Sequence, residues 1–316
     1  TPSKPVTESR LPDVAGDAAA LARPLDWVGM SGIALPVHVS AADGSDMLVP
    51  ARVDVAVDLS DPDARGIHMS RLYLRLQDAL ASEPPGHAAL RRVQSRIPNF
   101  EDLHLPPVYE KTIMQSLEGL VLVSGVTGSG KSSTLAAMLR FINAHRTLHV
   151  ITIEDPIEYA LQPDKCIISQ REIGLDVANF PDALRFVVRQ DPDCIMIGEL
   201  RDRETMLAAL QAAETGHLVL GSIHCNNAEQ TFSRILEFFE RQDHAFIRSS
   251  LANSLKAIMV QRLLPGVAKG SRYPATEVLL NNSIVKDKIV REEDEDIPAI
   301  LHACREEGMR DFIESL

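Results

Sequence analysis

Apolar residues follow two different rhythms along this chain, and the change comes near Arg92. Before it, IALPVHVS (33–40) and LVPARVDVAVDL (48–59) flank the turn signal AADGSD. The second run alternates apolar and polar positions, so the pair predicts a β-hairpin with one buried face. In MSRLYLRLQDALA (69–81), Met69, Leu72, Leu76 and Leu80 recur at helical spacing, and EPPGH ends the predicted helix. Residues 1–24 are rich in Pro, Ala, Ser and Asp without a period, and read as an extended tail.

Beyond Arg92 the strands become short and apolar throughout: EGLVLVSG (118–125), LHVITIE (148–154), CIMIGE (194–199) and HLVLGSIH (217–224). Helical patterns lie before, between and after them, in VYEKTIMQSL (108–117), SSTLAAMLRFINAH (132–145), RETMLAALQAAE (203–214) and AEQTFSRILEFFE (228–240). Strands without an exposed face, alternating with helices, predict an α/β fold with a mostly parallel sheet covered on both sides. From His244 onward the chain reads as mainly helical, including FIRSSLANSLKAIMVQRLL (246–264) and IVKDKIVREEDEDIPAILHACREEG (284–308). Within the latter, REEDED reads as a solvated face or helix end. The expected organisation is a tail over 1–24, a hairpin-plus-helix segment over 25–92, and an α/β core over 93–316.

Composition narrows the function classes. A formal charge of −12 disfavours broad nucleic-acid binding, which needs a basic face. The apolar runs are strand-sized, far short of the roughly 20 residues that span a bilayer, and no signal-peptide pattern is visible, so a cytoplasmic protein is expected. Cys166, Cys194, Cys225 and Cys304 form no CxxC pair, and read as small buried side chains rather than disulfides or a zinc module.

Candidate chemistry centres on GVTGSGKSS (125–133), which follows a predicted strand and opens a helix. Gly125, Gly130, Lys131 and Ser132 fit G-x-x-x-x-G-K-[ST]. Glycines let the backbone curl so that N–H groups point at phosphate oxygens, and the helix N-terminus adds its dipole. The expected nucleotide-binding residues are Gly125, Thr127, Gly128, Ser129, Gly130, Lys131, Ser132 and Ser133. Among them Lys131 reaches the β- and γ-phosphates and Ser132 holds Mg²⁺. Hydrolysis also needs a group to orient water. Glu154, Asp155 and Glu158 follow one strand, and Glu199 and Asp202 another. Strand C-termini converge at the ligand crevice of a parallel sheet, and Glu199, directly after a buried strand, is the best-placed acid. Asp155 and Asp202 serve equally well as helix caps. His217 and His224 bracket one strand and point to opposite faces, which argues against a joint metal site. His224, at the C-terminal end, is the better γ-phosphate sensor.

On these stretches, residues from about Val93 to Leu316 resemble the PilT-type ATPases of type IV pilus retraction, within the secretion-ATPase family. GVTGSGKSSTLAAM is similar to that family's Walker A motif and ITIEDPIEY to its aspartate box. DPDCIMIGELRDRET resembles its Walker B, with Gly198 where other ATPases carry an acid, and AAETGHLVLGSIHCNNA its histidine box. The resemblance implies a RecA-like core hydrolysing ATP with Mg²⁺ as a ring, six-fold in that family, with Glu158 and Glu199 as catalytic acids and His217 and His224 forming the histidine box. It further implies partners in the inner-membrane pilus machinery and a peripheral placement there. IVKDKIVRE lies where the family has a helix motif needed for retraction and matches it loosely, and the chain stops slightly short of the family's helical end.

Residues 11–92 do not resemble the PAS-like domain that precedes such cores and supplies arginines to a neighbour's nucleotide. LPDVAG, DWVGMSGIALPVHV and VDVAVDLSDPDARGIHMSRLYLRL instead resemble the N-terminal part of a type IB GTP cyclohydrolase, a tunnelling-fold enzyme of folate synthesis. That family's zinc-binding, nucleophilic cysteine lies in a half absent here, and His68 is the one polar candidate in the retained part. The sequence therefore reads as a composite whose ATPase core binds Mg-ATP normally but turns over weakly, with Arg91, Arg92 and Arg96 as partial substitutes for the lost arginines. GTP cyclohydrolase activity, a non-catalytic nucleotide-binding module, and a fusion whose first 92 residues do not fold remain as alternatives.

Overall fold

A computed structural model describes residues 27–40, 46–58, 96–267 and 271–315. The chain divides into two compact units, 1–95 and 96–316. In the first, β1 (Trp27–Ser40) and β2 (Asp46–Asp58) form the antiparallel hairpin that the alternation predicts. Its register runs from Trp27 opposite Asp58 to Ser40 opposite Asp46, with one irregularity between Met30 and Ile33. The tail over 1–24, the predicted helix over 69–81, His68, Arg91 and Arg92 lie outside the described residues.

The second unit is built on a seven-stranded sheet in the order β5-β4-β6-β7-β3-β8-β9. Its strands are β3 (Gly119–Ser124), β4 (His149–Glu154), β5 (Ile167–Glu172), β6 (Cys194–Ile197), β7 (Leu218–Ile223), β8 (Leu255–Pro265) and β9 (Arg272–Leu280). All pairings are parallel except β8 with β9. The helices are α1 (Val108–Gln115), α2 (Lys131–His145), α3 (Phe180–Val187), α4 (Arg203–Glu214), α5 (Ala228–Leu236), α6 (His244–Ser254), α7 (Ser283–Arg291) and α8 (Ile297–Ala303).

The central strands are mostly apolar because both faces are covered. Leu120, Leu122, Ile151, Ile153, Ile195, Ile197, Val219 and Val260 enter one core with α3 to α7. Their sequence neighbours Val121, Val123, Val150, Cys194, Met196, Leu220 and Met259 enter the opposite core with α1 and α2. The period-2 pleat thus divides each apolar run between two helical layers.

Four stretches differ from expectation. The stretch read as one helix over 246–264 is α6 followed at once by β8. AIMV is an apolar run too short for periodicity to separate strand from helix, and pairing with β3 decides it. The edge strand β5 and helix α3 were not anticipated. On β5 the pattern is weak: Ile167 is exposed and the next four residues are only half-buried. Helix α3 does carry a helical pattern, with Phe180, Ala183, Leu184 and Val187 buried, and a cap, Asn179, whose side chain accepts from Asp182 N, with Pro181 in the first turn. Finally, REEDED is not merely a solvated end. Asp294 receives both terminal nitrogens of Arg248, at 2.8 and 2.7 Å, and Lys288 pairs with Glu293 and Asp296.

Candidate active site

Strand register assembles the site. Ser124 of β3 is level with Ile223 of β7 on one side and Val260 of β8 on the other, while Ile197 of β6 is level with Gly221 and Ile153. The next residues along these strands, Gly125, His224, Gln261 and Glu154, therefore emerge at one sheet edge, with Glu199 two positions beyond Ile197.

The loop over 125–133 follows β3 and runs directly into α2, whose N-cap Gly130 is left-handed at φ 91°. Gly125 has φ 146°, and a Cβ there would collide with the Gln261 carbonyl and Ser129 Oγ. Both positions demand glycine, on conformational and steric grounds. Lys131 is buried, and its ammonium donates to the carbonyls of Gly125 at 2.8 Å and Val126 at 3.2 Å. It also lies 3.3 Å from His224 Nδ1. An ammonium can only donate, so Nδ1 is an acceptor and the ring proton sits on Nε2. That nitrogen donates to Glu199 Oε1 at 3.1 Å. Burial, and then the Lys131 charge, hold the imidazole below its ordinary pKa, which favours the neutral tautomer that this chain of bonds requires. Burial also lowers Lys131, opposed by the attraction of Glu199 and Glu158.

Glu199 has a second partner in Arg201, whose Nε lies 3.3 Å from Oε2 and whose terminal nitrogen reaches Asp155 at the same distance. A Cβ at Gly198 would sit 3.3 Å from the Ile153 carbonyl oxygen and 3.4 Å from Glu154 Cα. That position has little room for the acid other ATPases place there, and Glu199 carries it one residue later. Asp202 caps α4, accepting from Thr205 N at 2.8 Å, as its capping alternative anticipates.

Glu154 is turned away from a catalytic role. It is buried, its carboxylate accepts from Thr152 Oγ1 at 2.6 Å, Gln170 Nε2 at 3.0 Å and the Glu158 backbone, and burial raises its pKa against those bonds. Gln170 also accepts from Leu161 N and Glu172 from Ile157 N. Three side chains thus set the backbone that presents Glu158.

The structure does not bring His217 to this edge. It stands before β7 and His224 after it, seven positions or roughly 23 Å of extended chain apart. His217 Nδ1 donates to the Ala212 carbonyl at 3.0 Å, closing the end of α4. Four residues missed by the sequence reading belong at the site: Gln261, Thr134, Arg201 and Tyr159, whose hydroxyl lies 2.7 Å from Ser133 Oγ. One signal was available, since Gln261 interrupts the apolar run AIMVQRLL and yet is 2% exposed.

The donor set suits a polyphosphate. Backbone N–H groups at a helix N-terminus, an ammonium and the exposed hydroxyl of Ser132 converge, and the buried Ser129 Oγ has no partner among the described residues. No group of three His, Cys, Asp or Glu side chains among the described residues could hold a metal alone.

Residues 69–308 match the family described as type II/IV secretion system protein. The chain belongs to that family. The type IV pilus ATPase PilU of Pseudomonas aeruginosa is 42% identical over 253 residues, covering 80% of this chain and 65% of PilU. The retraction ATPase PilT of the same organism is 41% identical over 206 residues, covering 65% of this chain and 59% of PilT. This secretion-family chain thus spans less than two thirds of the length of either. Among solved structures, the pilus retraction motor PilT with bound ADP superposes with a TM-score of 0.67 at 31% identity, covering 96% of this chain and 95% of that one. Residues 11–102 match a second family, type I GTP cyclohydrolase folE2. The two matches overlap over 69–102, so the junction read near Val93 falls inside a stretch that both share.

Proposed function

We propose that this member of the secretion family is a Mg²⁺-dependent ATPase of the PilT and PilU motor type. The observation that carries the reading is the continuous chain Lys131–His224–Glu199 at the mouth of the glycine loop. Loop N–H groups and Lys131 hold the β- and γ-phosphates. Ser132 would hold Mg²⁺, which when bound would supply positive charge to the phosphates. Glu199, fixed by His224 and Arg201, orients a water and takes its proton as the water oxygen bonds to the γ-phosphorus and the bond to the bridging oxygen breaks. Glu158, on its braced turn, adds negative charge near Lys131. His217 lies outside this cluster, at the end of α4.

Self-assembly into a ring, six-fold in the family that the motifs resemble, and docking on inner-membrane pilus machinery follow from the same reading. Among the described residues no helix is long and apolar enough to cross a membrane. Because the residues before the core match a cyclohydrolase family over 11–102, the arginines of a PAS-like domain are not supplied there, and turnover is expected to lag behind binding.

The test follows Mg-ATP binding, phosphate release and GTP turnover on the intact chain. Lys131→Ala should weaken ATP binding by about 100-fold, the loss of charge-assisted bonds to phosphate. Glu199→Gln should bind ATP as the parent does while phosphate release falls by about 10²–10⁴, the usual contribution of a positioned base. ATP binding untouched by Lys131→Ala would sink the reading, and formate release from GTP would replace it with the cyclohydrolase alternative.

A further inference from the structure

Gln261 comes from β8, a strand outside every recognised nucleotide motif of the chain, yet its side chain is built into the phosphate loop. Its Nε2 donates to the Ser129 carbonyl at 2.6 Å, and its Oε1 accepts from Thr134 Oγ1 in the first turn of α2 at 2.8 Å. Its own carbonyl packs on Gly125, and a Cβ on Gly130 would meet its amide nitrogen at 3.0 Å. One buried residue therefore lies against both glycines that define the loop, its backbone carbonyl at Gly125 and its side-chain amide at Gly130, and that amide staples the loop's end to the helix. The neighbouring residues brace the opposite side: Arg262 donates to the Asn226 carbonyl at 2.9 Å, and Glu277 of β9 accepts from Ala228 N, just after the loop bearing His224.

The bond to Ser129 has a directional consequence. Ser129 C=O and Gly130 N–H belong to one planar trans peptide, in which the two groups point in opposite directions. Holding the carbonyl toward β8 aims the Gly130 N–H away from β8 and into the concave side of the loop. We propose that Gln261 is a positioning residue for the nucleotide phosphates, setting the Gly130 amide through the Ser129 carbonyl. The proposal rests on the nucleotide reading above and adds to it a residue and the means by which it acts.

Gln261→Glu keeps the shape but removes the donor. Its carboxylate can still accept from Thr134 but meets the Ser129 carbonyl acceptor to acceptor, which turns that peptide. With mant-ADP as the fluorescent probe, the Kd is expected to rise about tenfold, the scale of one hydrogen bond to a charged group. The KM for ATP should rise in step and kcat should change far less. A merely structural role predicts a lower melting temperature with Kd and KM unmoved. Lys131→Ala is measured in parallel. If the parent binds mant-ADP, Lys131→Ala does not, and folded Gln261→Glu binds within twofold of the parent, the Gln261 assignment falls and the nucleotide site stands. If the parent itself does not bind, both readings fall. Should Gln261→Glu not fold, Thr134→Val releases the same amide from its other side, and an unchanged Kd there also overturns the assignment.

Discussion

Lys131 shows how much of a site one residue can organise before any ligand arrives. Two of its contacts hold the loop carbonyls, the third sets the His224 tautomer, and that tautomer leaves Nε2 as the donor to Glu199. A pH dependence follows. The folded His224 pKa lies below its ordinary value of about 6.5, so at pH values between the two the unfolded chain binds more protons. The contribution is present above the ordinary value and lost as pH falls through the folded one. Thermal melts of the parent and of His224→Gln should therefore converge between pH 7 and pH 5, and parallel curves would remove the neutral-imidazole assignment. Gly125→Ala is expected to cost about 1–3 kcal/mol for its left-handed backbone and to lose mant-ADP binding, read by urea denaturation and titration. The loop residues were legible because glycine, lysine and serine spacing is local chemistry. Gln261, Arg201 and Gln170 were not, because each acts on a partner distant in sequence, and a polar side chain in an apolar run does not say what it bonds.

At the scale of elements, the clearest energetic unit is the pin between α6 and the turn after α7. Arg248 and Asp294 are bonded through two nitrogens with side-chain exposures of 8% and 12%, and Arg248 also caps the Ile289 carbonyl. Arg248→Ala leaves a buried carboxylate alone, so a loss of about 3–5 kcal/mol is expected in urea denaturation, with Arg248→Lys intermediate because lysine cannot form the paired contact. The sequence showed this acidic run as surface, since only tertiary folding brings the arginine to it. Parallel strands with two covered faces were readable from their apolar runs. The boundary between α6 and β8 was not, because no glycine or proline marks it and only the sheet supplies the partner.

At the scale of the whole molecule, the α/β core stood out in the order of its elements. Assembly is the matter left to measurement. If the working unit is a ring, phosphate release per chain should rise with protein concentration together with the sedimentation coefficient; constant specific activity across a hundredfold dilution would show that one chain suffices. The strand order has a further consequence, for the path by which the protein is made. Lys131 meets His224 across 93 positions, and Ser129 meets Gln261 across 132. Closures of that length come late in folding. A chain emerging from the ribosome presents its glycine loop long before β7 and β8 exist to shape it, so refolding should restore helical circular dichroism first and mant-ADP binding last.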